Sequence, residues 1–192
     1  MKSYFNPGNI ELIIGLGNPG EKYKDTYHNI GFLFIDSLAK NLPSGNFEKS
    51  SSKKFMFLKT GRVILIKPLV FMNESGEAVR DALKYFKTTA EKILVAHDDA
   101  DLKLGEFKLT TGQSHAGHKG IASIITALKT KDFQRIRIGI RQGTNAKKEE
   151  VGLPAVNRMK AGEFVLRSIT AANKKTLSAT FKEIILKKFP NI

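Results

Sequence analysis

Apolar runs of strand length alternate with stretches of helical period along most of this chain, and few folds accommodate that alternation. "ELIIGLG" (11–17), "KKFMFLK" (53–59), "RVILIK" (62–67), "KILVAHDD" (92–99), "GEFKLT" (105–110) and "QRIRIGI" (134–140) read as strands. Between them, "IGFLFIDSLAKNL" (30–42), "NESGEAVRDALKYF" (73–86), "IASIITALK" (121–129) and "LSATFKEIILKKF" (177–189) repeat apolar residues at helical spacing. Strands interleaved with helices predict an α/β protein with helices on both faces of one sheet. Thr60-Gly61 separates two adjacent strand-like runs and predicts a hairpin, so the sheet is expected to be mixed rather than purely parallel. The expectation is a three-layer sandwich around a mixed, twisted sheet. The 192 residues suit one domain, 1–192, closed by a basic helix, with a polar lid or loop at 141–162.

Composition narrows the chemistry. The chain has no cysteine, which removes disulfides, Cys-ligated zinc, iron–sulfur clusters and a Cys nucleophile. No apolar run approaches the roughly 18–20 residues that span a bilayer. Residues 1–9 show no signal-peptide core. A cytoplasmic protein without a membrane partner is expected. Lys and Arg number 32 against 18 Asp and Glu, an excess of 14 positive charges. Half of that excess lies in residues 141–192, and it points to a polyanionic partner, most simply nucleic acid.

Gly15, Gly17 and Gly20 spell G-x-G-x-x-G after the first strand. A dinucleotide loop would place its third glycine in a helical turn and an acidic residue at the end of a second strand. Here "EKYKDTYHN" follows, and Asp36 falls in a helix pattern, so the glycines are expected to shape a tight loop with Asn18 at its tip. His28 then opens the first helix. In open α/β sheets, sites gather beyond the carboxyl ends of strands. That rule selects residues 17–29, 67–73 and 97–101. His97-Asp98-Asp99 ends a strand, where a carboxylate can accept the second N–H of an imidazole and set its tautomer. With neither a Ser elbow nor Cys, activation of water by a His–Asp pair is the economical mechanism. The amides of Asn18 and Asn73 are candidate oxyanion donors, with Asn73 or Ser75 also a candidate helix cap. A competing reading is a metal held by His115, His118, Asp98, Asp99 and Asp101; glycines 112, 117 and 120 break the helix that a usual metallohydrolase motif needs. His118 is equally a candidate cap of the following helix.

The segments "GLGNPGEKYKDTYHNIGF", "KPLVFMNESGEAV", "ILVAHDDADLKLGEFKL", "HAGHKGIASI" and "FQRIRIGI", followed more weakly by "EFVLRSI", resemble the bacterial-type peptidyl-tRNA hydrolase family in order and content. The resemblance implies a monomeric enzyme that cleaves the ester between peptide and tRNA without metal or cofactor. It implies His28 as proton acceptor, Asp98 as the residue that keeps it basic, and Asn18 as the group that tells blocked from free aminoacyl-tRNA. Tyr23, Phe71 and Asn73 would meet the tRNA end or peptide, and Met72 would pack beneath the site. Arg137 keeps a basic position toward the tRNA. The chain departs from the family pattern at Tyr27 (usually Arg), at Lys119 (usually Asn), at Gln113 and Ser114 (usually Gly) and at Thr110 (commonly Lys).

Overall fold

In a computed structural model, residues 7–42, 45–142 and 164–190 are described. Seven strands form one sheet: β1 (Leu12–Gly15), β2 (Glu48–Lys49), β3 (Phe55–Lys59), β4 (Ile64–Pro68), β5 (Ile93–Lys103), β6 (Phe107–Thr111) and β7 (Gln134–Arg141). Their order is β2-β3-β4-β1-β5-β7-β6. The central four run parallel, while β2–β3, β3–β4 and β6–β7 are antiparallel, so the sheet is mixed and the hairpin lies where Thr60-Gly61 placed it.

Alternation along the buried strands sorts side chains to two cores. Ile13, Leu65, Leu94, Ala96, Ile136, Ile138 and Ile140 face α1 (Ile30–Ala39) and α4 (Ala171–Lys188). Leu12, Ile14, Ile66, Ile93 and Val95 face α2 (Ser75–Phe86) and α3 (Lys119–Leu128). Both faces are covered, as the periodicity required. Helix α4 begins at Ala171, well before the apolar repeat does. Thr170 caps it by accepting from the Asn173 N–H, and the polar first turns lie outside the core. Its buried residues Leu177, Thr180, Phe181 and Ile184 recur at helical spacing, leaving Lys174, Lys175, Lys182 and Lys187 outward. No helix of the described residues is long and apolar enough to cross a membrane. Arg141 ends β7, and the expected lid from residue 143 onward lies outside the described residues.

Two expectations are corrected. Residues 97–101 are not a loop: they continue β5 to Lys103, paired on one side with β7 after β1 has ended. Neither Asn73 nor Ser75 caps α2. Asn73 sits inside a 3₁₀ turn, Met72–Glu74, that leads into the helix, and the Ser75 hydroxyl donates back to the Met72 carbonyl.

The glycines of the first loop serve different ends. Only Gly20 has the left-handed backbone, at φ 103°. Gly15 is required by close approach: a β-carbon there would stand 2.2 Å from the Gly31 carbonyl oxygen, and one on Gly31 would stand 2.3 Å from the Leu16 nitrogen. Strand β1 and helix α1 thus touch backbone to backbone. Gly31→Ala is expected to cost about 3 kcal/mol, a fall of roughly 6–12 °C in Tm for a chain of this size. An unchanged melting temperature would show that the contact is slack.

Candidate active site

The strand ends open onto a cleft of about 440 Å³. β1 leads into the loop carrying Asn18 and His28, β4 into Phe71–Asn73, and β5 supplies Asp98 from within the strand. A fourth wall, residues 113–119 between β6 and α3, completes it.

His28 lies in a 3₁₀ turn, Tyr27–Asn29, that runs directly into α1. Its backbone N–H donates to the Val165 carbonyl at 2.8 Å, tying the turn to the segment before α4. Its ring Nδ1 is 2.9 Å from Asp98 Oδ1 across 70 positions of sequence. A carboxylate only accepts, so Nδ1 carries the proton and Nε2 keeps a lone pair toward the cleft. Asp98 Oδ1 has a second imidazole: His118 Nε2 lies at 3.0 Å. The His118 Nδ1 accepts from the Ile121 N–H at 3.3 Å, capping α3 as anticipated, and this cap places its proton on the nitrogen that faces Asp98.

Asp98 is fully buried, which alone would raise its pKa; His118, and then His28, outweigh that and hold the carboxyl far below the usual carboxylate range. Burial, reinforced by His118, pushes the His97 imidazole well down, so it stays neutral.

Asn18 is 7% exposed and locked on both sides. Its backbone N–H donates to Asn29 Oδ1 at 2.8 Å, and its carbonyl accepts from Asn29 Nδ2 at 2.9 Å. Its side-chain Oδ1 accepts from the Met72 N–H at 2.8 Å, so the Nδ2 donors point the other way. Met72 is buried beneath the cleft, whereas Asn73 is exposed on its wall. Tyr23 meets Phe71 edge to face at 6.4 Å, and Phe71 is 51% exposed at the rim.

The basic positions also converge. Arg137 Nε donates to Asp99 Oδ2 at 2.5 Å, and its Nη1 donates to Gln113 Oε1 at 3.2 Å. Arg135, buried on the same face of β7, donates to the Ser114 carbonyl at 3.1 Å and steadies that loop. Lys119 is exposed at the first position of α3.

The residues singled out from sequence, His28, Asp98, Asn18, Asn73, Tyr23, Phe71, Met72, Lys119 and Arg137, therefore all line one cleft. The competing metal set does not assemble. Among the described residues, the cluster with metal-ligand spacing is His28, Asp98 and His118. The two nitrogens that face Asp98, His28 Nδ1 and His118 Nε2, are taken up by its carboxylate, and His118 cannot turn a lone pair toward Asp98 without losing its cap. His115 is exposed and bonds the Gly117 N–H. Sequence reasoning missed the second imidazole on Asp98 and the lock by Asn29. His118 was visible as a cap, but its reach to β5 depends on the α3–β5 geometry.

These features define a three-layer α/β protein with a His–carboxylate pair of the kind used by hydrolytic enzymes, set beside an amide donor under a basic rim. Comparison with known proteins identifies the group more narrowly. A profile of the family described as "Peptidyl-tRNA hydrolase" matches residues 12–187. A peptidyl-tRNA hydrolase of Aquifex aeolicus is 39% identical over 178 residues, covering 92% of this chain and 86% of that one. Another, from Bacillus cytotoxicus, is 43% identical over 164 residues, covering 84% and 82%. A crystal structure of the peptidyl-tRNA hydrolase from Acinetobacter baumannii superposes with a TM-score of 0.80 at 29% identity, covering 94% of this chain and 87% of that one. This chain belongs to the peptidyl-tRNA hydrolase family.

Proposed function

We propose that this protein hydrolyses the ester joining a peptide, or an N-blocked amino acid, to tRNA, releasing tRNA for reuse, and that it does so as a cytoplasmic monomer using water activated by His28. Family membership supports the reaction class. The observation that carries the mechanism is the His28 Nδ1–Asp98 hydrogen bond, which leaves Nε2 as the one ring lone pair facing the cleft. Nε2 takes a proton from water as the oxygen attacks the ester carbonyl, and Asp98 stabilises the imidazolium that forms. In this reading the Asn18 Nδ2 donors, with Asn73 in the wall of the same cleft, contact the oxyanion or the peptide backbone. An ester is an activated acyl group, so base, water and donors suffice without a covalent intermediate.

The remaining residues bind. Tyr23 and Phe71 offer aromatic surface to the terminal base or peptide, and Met72 supports them from below. Arg137 and Lys119, with the excess of 14 positive charges behind them, attract tRNA phosphates. The test is release of N-acetyl-aminoacyl-tRNA, with the unblocked aminoacyl-tRNA alongside and with EDTA in a parallel reaction. Cleavage of the blocked substrate that survives EDTA supports this reading. Tight tRNA binding without cleavage, or loss on chelation, contradicts it.

Lys119 cannot accept a hydrogen bond, so it cannot orient the attacking water by taking one of its O–H groups. Lys119→Asn is expected to turn over at or above the wild-type rate in the same assay. A collapse in rate would show that the lysine is needed for the chemistry.

A further inference from the structure

His97 is a fully buried histidine of the cleft wall that the mechanism above does not use. It is buried at 3% exposure, next to Asp98 in sequence, and its ring lies edge-on to that of His118 with centroids 4.7 Å apart. Its Nδ1 is 2.7 Å from the backbone carbonyl oxygen of Asp98. A carbonyl only accepts, so the proton is on Nδ1 and Nε2 holds a lone pair; that Nε2 is buried without a partner among the described residues. A leucine would fill such a place without the penalty of an unpaired polar atom.

The strand ladder explains what the penalty offsets. On β5, the Ala96 carbonyl accepts from the Leu16 N–H on the β1 side of the sheet. Carbonyls two residues apart on a strand point the same way, so the Asp98 carbonyl also faces the β1 side. Strand β1 is gone by then: its last pair is Gly15 with Ala96, and the chain turns away through Asn18. A buried carbonyl would be left unsatisfied in the residue that carries the carboxylate. The His97 Nδ1–H supplies the donor that β1 no longer does.

We infer that His97 is a positioning residue for the hydrolytic centre: it clamps the Asp98 backbone and backs the His118 ring, so that Asp98 Oδ1 stays between the His28 and His118 nitrogens. The inference rests on the proposed role of Asp98. Burial, with the nearby His118 and Arg135, keeps the His97 ring neutral.

The experiment is a kinetic cycle on blocked aminoacyl-tRNA with His97→Phe and His97→Asn, each alone and on Asp98→Asn, all checked for folding by circular dichroism. Phe keeps a ring and loses the donor; Asn carries an amide N–H close to where Nδ1 stood. His97→Phe is expected to lower kcat about tenfold with KM unchanged. His97→Asn should recover to within about threefold of wild type. On Asp98→Asn, His97→Phe should cost nothing further, because it acts only through Asp98. Should the Phe variant fail to fold, His97→Gln replaces it, since its amide reaches the Nε2 place and leaves the Asp98 carbonyl bare. Unchanged kcat in the donor-lacking variant, an Asn variant as slow as it, or the same loss repeated on Asp98→Asn would each overturn the inference. An Asp98→Asn enzyme as fast as wild type would instead overturn the role of Asp98 itself.

Discussion

Replacing His28 with alanine is expected to lower kcat by about 10²–10⁴-fold, the usual contribution of a positioned general base. Binding of tRNA should stay close to wild type, because His28 is 8% exposed and the basic surface is untouched. No other imidazole in the cleft can replace it. Both His118 nitrogens are engaged, one by Asp98 and one by the Ile121 N–H. His97 directs its proton at a carbonyl and buries its lone pair. His115 is exposed and bonded to Gly117. Residual cleavage by His28→Ala is expected to come from the oxyanion donors and binding alone. A rate within tenfold of wild type would mean that water is activated elsewhere.

Asp98→Asn is the second large effect: kcat should fall by about 10²-fold or more, as when the acid partner of a catalytic histidine is made an amide. Two imidazole N–H groups converge on Oδ1 of Asp98. If the asparagine turns its oxygen to them, the bonds survive but the charge that stabilises the imidazolium is lost. If it turns its NH2 to them, donors face donors, and His28 is driven to the tautomer that cannot take a proton. Either way tRNA affinity should hardly change, since Asp98 is 3% exposed beneath the cleft. A large loss of affinity would make Asp98 structural.

The same pair predicts how stability follows pH. The carboxyl of Asp98 is held far below its unfolded value of about 3.9. The ionised group therefore contributes its full stability above that pH and loses it progressively as pH falls from there through the lower folded value. Asp98→Asn should melt below wild type at neutral pH, with the gap closing in acid. A gap that stays constant with pH would mean that the charge is not what stabilises the wild type.

Much of this was legible in the order of residues because periodicity and strand ends are local properties. Ile136, Ile138 and Ile140 alternate with Arg135 and Arg137, and the structure puts the first three in the core and the arginines at the cleft. The loop rule found Asn18, His28 and Asp98, although Asp98 is on a strand rather than beyond one. What stayed hidden depends on unequal strand lengths and on contacts across the chain. That β5 outlasts β1 is not written in its own residues, which read equally well as a strand end. The double use of Asp98 needs α3 to start where His118 can reach across 20 positions. The early start of α4 was hidden because its first turns are solvated and carry no apolar repeat.

The central claim is that Asp98 holds His28 with its proton on Nδ1 and a bare Nε2 toward the cleft. Nitrogen NMR of the enzyme labelled in its histidine rings, assigned through His28→Ala and recorded where the His28 ring is neutral, reads this directly. The account predicts a protonated Nδ1 and an unprotonated Nε2 for His28, with that preference weakened or reversed in Asp98→Asn. A His28 ring protonated on Nε2 in the wild type, or one indifferent to Asp98→Asn, would contradict it.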